Sequence, residues 1–363
     1  MGINGELIGA LAFLFGGVST YIFLLNRFIL HFRNGIRKLI LIAGGFIIFI
    51  PGFTTLGVIS GTSPWILTPG ILIIVGVSLE LRRVKIQRTV RGESPVCDGG
   101  SSCSFMKPIT TINLRVCRFS IPCKGLNDRL RISLLSDFHL NDDIPRSYYN
   151  HAVERALSAE PDVFFLGGDF LTSRCFLPLL REILSGVSDT VDCFAVLGNH
   201  DHWVGPEMIT NALGELGIET LRNTNNRIIR EDGSQVIISG CEDPWGPEPW
   251  IPPEDVNEWP VFVLSHTPDN IYRLSSQNVS AVFSGHYHGG QMQVPGIGSI
   301  LIPSIYGKRF EHGHFVIDGT HLFVSAGVGV AVPPVRVYSR PDILVIDLKP
   351  YGADVTEQSS IIA

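Results

Sequence analysis

The sequence predicts an α/β domain of layered, mixed β-sheets flanked by helices and preceded by N-terminal transmembrane helices. Three observations lead there. The first 91 residues contain long stretches without a charged side chain. From about Ile109, short Val/Ile/Leu/Phe runs alternate with amphipathic helical stretches, and after His288 the chain reads mostly as strands. Several of those apolar runs end in Asp, Asn or His.

The N-terminal region comes first. Leu7 to Asn26 carries no charge and is about long enough to cross the ~30 Å hydrocarbon core as a helix. Leu39 to Leu79 is also uncharged. As one helix at ~1.5 Å per residue it would be about twice the bilayer core. Pro51, Gly61 to Pro64 and Pro69 offer breaks, so the reading is three spans, about 7–26, 39–60 and 62–79. The last is short and contains Pro69, which leaves a re-entrant segment as an alternative. A buried helical hairpin of a soluble protein is the other. The spans carry no intramembrane charge, which disfavours a transporter. This anchor occupies residues 1–91. The Gly/Ser-rich 92–108 reads as a flexible linker, 109–350 as the α/β body and 351–363 as a tail.

Charge is unevenly distributed. The chain has 28 Lys and Arg against 34 Asp and Glu. Nine basic but only two acidic residues precede Glu93, leaving 19 against 32 in the body. An acidic body argues against nucleic acid as a partner. The basic segments "NRFILHFRNGIRK" and "LRRVKIQRTVR" flank the hairpin and should share the cytoplasmic side, which puts the body in the cytoplasm. An odd count of seven cysteines at irregular spacings is no disulfide framework and suits a reducing compartment.

In the body, "INLRVCRFSI", "RLRISLLSD", "DVFFLGGD", "CFAVLGNHD", "QVIISGCED", "VFVLSHTP" and "VSAVFSGHYH" read as strands. Their near-continuous apolarity suits strands covered on both faces. Helices are expected over 147–159, 206–216 and 268–274, with further strands in "SILIPS", "HGHFVID", "HLFVSAGVGV" and "DILVIDL".

Five of these strands end in chemistry. They deliver Asp137 and His139, Asp169, then Asn199, His200 and Asp201, then His266, and finally His286 and His288. Ligands collect at the carboxyl ends of strands in α/β sheets. The donors are all nitrogen and oxygen, suited to Mn²⁺, Fe or Zn²⁺. They are too many for one tetrahedral ion but fill two sites if one carboxylate bridges. Two such ions clamp the oxygens of a phosphoryl group during in-line displacement. Gly168, Gly198, Gly285, Gly289 and Gly290 lie beside the ligands and would give them room.

In this order, Asp-x-His, Gly-Asp, Gly-Asn-His-Asp, a lone His and Gly-His-x-His resemble the calcineurin-like metallophosphoesterase family. The likeness extends over about Ile109 to Leu348. "SGHYHGGQ" and the tail from "YGKRFEHGHF" to "DILVIDL" resemble a bacterial membrane-attached branch that includes the UDP-2,3-diacylglucosamine pyrophosphatase of lipid A synthesis. The resemblance implies a bacterial inner-membrane enzyme with two divalent ions, Mn²⁺ first. It implies Asp137, His139 and His288 on one metal, Asn199, His266 and His286 on the other, and Asp169 bridging. It further implies His200 facing the phosphate and Asp201 orienting that imidazole. Asn141 and Thr172 depart from the branch's pattern, which bears on substrate rather than chemistry. The implied substrate is UDP-2,3-diacylglucosamine, cleaved to a lipid monophosphate and UMP. A broader phosphodiesterase acting on a membrane-linked or nucleotide substrate, and a non-catalytic membrane scaffold, are the alternatives.

Outside the motifs, His202, His312, His314 and His321 read as structural or surface groups. The Pro/Trp-rich 243–259 reads as a cover for an acyl chain or base, a membrane-dipping loop or a solvated loop. Lys308, Arg309, Arg336 and Arg340 are candidates to hold a substrate phosphate, with surface salt bridging as the plainer role.

Overall fold

The computed structural model describes residue 78 and residues 81–351, apart from 99–106, 231–232, 255, 296–297 and 300. Apart from Ser78, the spans expected at 7–26, 39–60 and 62–79 fall outside these residues. Among the described residues no helix is long and apolar enough to cross a membrane. The chain divides into two compact units, one of Met1–Thr89 with Ile300–Arg309, the other of Val90–Ser299 with Phe310–Ala363. In the first, residues 81–89 are helical. The second contains all of the motifs.

Two sheets build that second unit. One holds β1 (Val96–Asp98), β2 (Arg115–Cys123), β3 (Leu130–Leu135), β4 (Val163–Leu166), β5 (Asp192–Ala195) and β6 (Glu219–Thr220). The other holds β7 (Asn225–Ile229), β8 (Gln235–Cys241), β9 (Val261–Ser265) and β10 (Ala281–Ser284), while β11 (Gln293–Val294) and β12 (Gly298–Ser299) form a small ribbon. β13 (Gly313–Ile317) and β14 (Thr320–Val324) complete the second sheet, and β15 (Asp342–Pro350) inserts between β2 and β3 of the first. It runs parallel to β2 and antiparallel to β3. β3, β4 and β5 are mutually parallel, as are β8, β9 and β10.

The apolar runs have their physical explanation in this layering. In β4, Val163 and Phe165 belong to the core between the sheets, while Phe164 and Leu166 belong to the core beneath the helices. β15 divides in the same way, Leu344 and Ile346 facing inward and Ile343 and Val345 outward. A strand buried on both faces has no polar side to display. The outer core is closed by α1 (Arg146–Leu157), α2 (Leu177–Ile183) and α4 (Pro206–Glu215), between which lies the short α3 (Asn199–Val204). α1 buries Tyr148, Tyr149, Ala152, Val153 and Ala156, one stripe at helical spacing. The expected helix at 268–274 is a 3₁₀ turn, Pro268–Asn270, continuing into α5 (Ile271–Ser275).

Three expectations have a different outcome in this unit. Part of the expected linker is sheet: Val96–Asp98 pairs antiparallel with β2. The register sets Cys97 opposite Cys117, and the two form a disulfide across a 4.2 Å Cα–Cα separation. Nothing in cysteine spacing reveals a cross-strand register. With a disulfide present, cysteine usage no longer argues for a reducing compartment. Among the described residues of "SILIPS", only Ser299 lies in a strand.

Phe283 sits fully buried between the sheets, its ring against Phe165, Phe262 and Phe323. Phe283→Ala should cost about 3–5 kcal/mol through lost transfer energy and the cavity left behind, measured by urea unfolding of the purified protein.

Candidate metal centre

All of the motif residues sit at the carboxyl ends of parallel strands. Asp137 and His139 follow β3, Asp169 follows β4, Asn199 to Asp201 follow β5, His266 follows β9, and His286 and His288 follow β10. The two sheets thus bring to one place side chains separated by up to 151 positions in sequence. Asp137, His139, Asp169, His286 and His288 all have left-handed backbone, with φ between 43° and 71°. Non-glycine residues rarely occupy this region, at a cost of about 1–3 kcal/mol each. Five such residues in one cluster mean that the loops bend to aim side chains rather than to close turns.

Two groups of donors converge, joined by one carboxylate. His139 Nε2 lies 3.1 Å from His288 Nε2, and Asp137 Oδ1 lies 3.5 Å from His288 Nε2. On the other side, His286 Nδ1 lies 3.2 Å from His266 Nε2. Asp169 Oδ2 lies between, 3.4 Å from His139 Nε2 and 3.3 Å from His266 Nε2. Asp137, His139 and His288 form one potential metal-holding set and Asp169, His266 and His286 another, while His139, Asp169 and His200 make an overlapping third. Asn199 stands at the start of α3, 5% exposed, and its buried Oδ1 has no hydrogen-bond partner among the described residues. An orphaned amide oxygen on the loop that meets Asp169, together with imidazoles whose ring nitrogens face one another, fits divalent cations, which take such lone pairs as ligands. His266 donates Nδ1–H to the Gly167 carbonyl at 2.7 Å, which leaves Nε2 to face the cluster.

The electrostatics match a site built for cations. Burial and the neighbouring His200 lower His139 to about 3, and burial with His139 holds His288 well below its ordinary range. Both imidazoles are therefore neutral and offer lone pairs. Burial raises Asp137 to about 6. Burial also opposes ionisation of Asp169, but His266, His200 and His139 outweigh it and hold that carboxyl well below the usual range. Burial alone would likewise lower His266, yet the Asp169 carboxylate takes it up to about 9.

The glycines beside the ligands are steric necessities at two positions. A Cβ on Gly198 would lie 2.1 Å from Asp169 Oδ1, and one on Gly285 would lie 2.1 Å from Asp137 Oδ2. Any side chain there would displace a carboxylate of the cluster.

His200 is half-buried at the site's edge, its ring 4.6 Å from that of His139 and its backbone N–H donated to Asp169 Oδ1. Asp201 does not orient it. Both carboxylate oxygens of Asp201 are taken by backbone N–H groups, Oδ2 by Asp169 and Gly198 and Oδ1 by Phe170. Successive residues on a helix point about 100° apart, so Asp201 turns inward and locks two motif loops together while His200 faces out. Asn141 and Thr172 also have local structural roles. Asn141 accepts from the backbone N–H groups of Asp143 and Ile144, and Thr172 donates to the Leu140 carbonyl.

Arg336 does not hold a substrate phosphate. It is fully buried, and its guanidinium donates to the carbonyls of Ala326, Gly327, Gly329 and His288. That loop in turn supports Asp137, since Gly329 N–H donates to the Asp137 carbonyl and Val328 N–H to that of Ser136. Arg336 therefore acts as a strut under the first ligand group, a role that no charge pattern in "PPVRVYSRP" discloses. Arg340 donates to the Asn113 and Leu114 carbonyls, and Lys308 and Arg309 belong to the other unit. In 243–259, Trp250 is buried with its Nε1–H on Ser239 Oγ, and Trp245 packs edge-on against His266 and His286. Trp203 lies against His200. Two half-buried indoles thus border the site. His312 pairs with Asp342, and His314 with His321, as structural groups.

Layered sheets with this cluster at their carboxyl ends define a metal-dependent hydrolase. Residues 130–290 match the family described as calcineurin-like phosphoesterase. It is 29% identical over 223 residues to the phosphodiesterase YaeI of Escherichia coli, covering 60% of this chain and 82% of that one. It is 27% identical to the uncharacterized metallophosphoesterase YkuE of Bacillus subtilis, over 61% and 80% of the two chains. A Danio rerio transmembrane protein with metallophosphoesterase domain is also 27% identical, over 65% of this chain and 57% of that protein. Among solved structures, a dimetal phosphatase from Danio rerio aligns with a TM-score of 0.37 at 12% identity, over 61% and 99% of the chains.

Because His266 carries a proton at neutral pH in the metal-free site, a metal must displace it. Affinity should rise with pH up to about 9, by roughly tenfold per unit for one displaced proton. It should fall more steeply below about 6, where Asp137 also becomes protonated. Titration calorimetry with Mn²⁺ in buffers of different ionisation enthalpy measures the proton released.

Proposed function

We propose that the chain is a membrane-anchored binuclear phosphodiesterase acting on a membrane-linked or nucleotide-linked phosphodiester. The observation that carries this is the position of Asp169 Oδ2, 3.4 Å from His139 Nε2 in one donor set and 3.3 Å from His266 Nε2 in the other. One oxygen between two ligand groups is the arrangement that holds two ions close together. When bound, the ions supply Lewis-acid chemistry to a phosphoryl group. Asp137, His139 and His288 would hold one, Asn199, His266 and His286 the other, with Asp169 shared. His200 would meet the substrate and hold the proton that the leaving oxygen takes up. Trp203 and Trp245 would limit water at the site and give the substrate a nonpolar border.

Diester chemistry is supported by the name of the Escherichia coli relative. The anchor is supported by the uncharged runs 7–26 and 39–79 and by the relative named as a transmembrane protein. UDP-2,3-diacylglucosamine is the finer proposal for the substrate. None of the relatives named above carries that activity in its name.

With Mn²⁺, the purified protein should cleave bis-p-nitrophenyl phosphate and lose that activity on chelation. Asp137→Ala should abolish it, and His200→Ala should lower kcat by about 10²–10⁴-fold, the usual worth of a general acid. Release of UMP from UDP-2,3-diacylglucosamine would establish the finer substrate, and its absence alongside diester cleavage would leave the broader one. No metal-dependent cleavage of either would remove the enzyme reading.

Two signals oppose each other on the side of the membrane. The basic flanks favour a cytoplasmic domain, whereas Cys97–Cys117 favours an oxidising compartment. Cys175 is a free, exposed thiol. For a cytoplasmic domain, a membrane-impermeant maleimide should label it only after cells are opened. Labelling in intact cells would put the domain on the oxidising side.

A further inference from the structure

Behind Arg336 lies an exposed apolar face that the reaction does not use. Three short segments run side by side there. Ile109 bridges Val337, and Val337 bridges Met292 on its other side. Bridged residues on neighbouring strands share a face, so Ile109, Val337 and Met292 form one stripe across the ribbon. Their chain neighbours Thr110 and Arg336 are buried on the opposite face. Ile109 is 68% exposed and Met292 36%, and on the same segments Ile112 is 59% and Val294 36% exposed. Next to them Val332, 92% exposed, stands at the tip of a loop with the exposed Pro333 and Pro334. The tip is held in place. Gln291 accepts the Ala331 N–H at 2.8 Å and donates to the carbonyls of Ala331 and Pro333 at 3.0 and 2.7 Å.

A rigid loop that presents a bare valine to water invites an explanation, since exposed apolar patches mark interaction sites. We infer that this face, with Val332 at its tip, docks on a lipid surface. The inference rests on the membrane anchoring proposed above. Three features favour lipid over protein. The segments 108–113, 291–295 and 331–335 contain no charged residue within an otherwise acidic body, as insertion among acyl chains requires. The backbone of the central segment is bonded on both sides, through Thr110 N–H to Arg336 O, Tyr338 N–H to Pro108 O, Val337 N–H to Gln291 O and Gln293 N–H to Val337 O. It therefore offers no free edge for an added peptide strand. Six apolar side chains fall far short of the roughly 20–30 residues a side of a stable protein interface, whereas a face already tethered to a bilayer needs little area of its own. The uncharged runs at 7–26 and 39–79 provide that tether. Lys107, exposed at the edge of the face, suits an anionic headgroup.

The test uses the full chain in its native membranes, with the photoreactive residue benzoylphenylalanine at Val332. A second variant carries it at Ile229, which is 71% exposed on β7 and serves as the control. After illumination, mass spectrometry of the digested protein should find lipid adducts at position 332 several-fold in excess of those at 229. No lipid adduct at 332, equal yields at both positions, a band at twice the chain's mass, or an adduct to another protein would each overturn the inference. Resistance of the same membranes to carbonate extraction judges the anchor, and Mn²⁺-dependent diester cleavage judges the enzyme. A chain that stays in the membrane and remains active, yet yields no lipid adduct, would overturn the docking face alone.

Discussion

Asp169 brings a negative charge into a space from which water is nearly excluded, and the surrounding architecture answers that charge. Imidazoles from β3, β9 and β10 gather around it, and His200 donates its backbone N–H to one oxygen. Gly198 yields the volume that its other atoms need. Asp201 spends its own buried carboxylate on holding the backbone of Asp169 and Phe170 in place, and burial, with the nearby Asp169, raises it to about 7. A carboxylate so placed, with ring nitrogens aimed at it from two sides, is poorly satisfied by protons and well satisfied by cations. The two sheets, their parallel strands and their bent carboxyl-terminal loops are what make that placement possible.

The residues of the cluster were legible because their chemistry is tied to the ends of apolar strands, and both signals are local. The double-sided burial of β4 and β15 was legible for the same reason. What the sequence could not disclose depends on contacts between distant segments. Arg336 reads as a surface cation from its neighbours, and only the ribbon alternation across Val335, Arg336 and Val337 turns it inward. Asp201 reads as a partner of His200 because the two are adjacent, yet adjacency on a helix separates side chains. Cys97 needed the register of β1 against β2 before Cys117 became its neighbour. β7, with polar Asn225, Asn226 and Arg227, has a weak strand pattern, and its pairing with β8 decides the matter.

The strut beneath the first donor set also explains why the C-terminal part of the body belongs to the site despite contributing no ligand. Asp342, at the start of β15, accepts from Ser325 Oγ and Ala326 N–H, while Arg336 donates to the carbonyls of Ala326, Gly327 and Gly329. The loop is gripped by an anion on its donors and a cation on its acceptors. These bonds restrain the backbone on which Asp137 rests.

β15 lies between β2 and β3 in the sheet, although among the described residues it is the last strand in sequence. During synthesis every ligand has left the ribosome before the strand that completes their sheet exists. Five of those ligands need strained backbone, which local sequence cannot hold without the finished fold around it. The placement of Asp137 and His139 after β3 thus leans on a strand that follows every residue of the cluster in sequence.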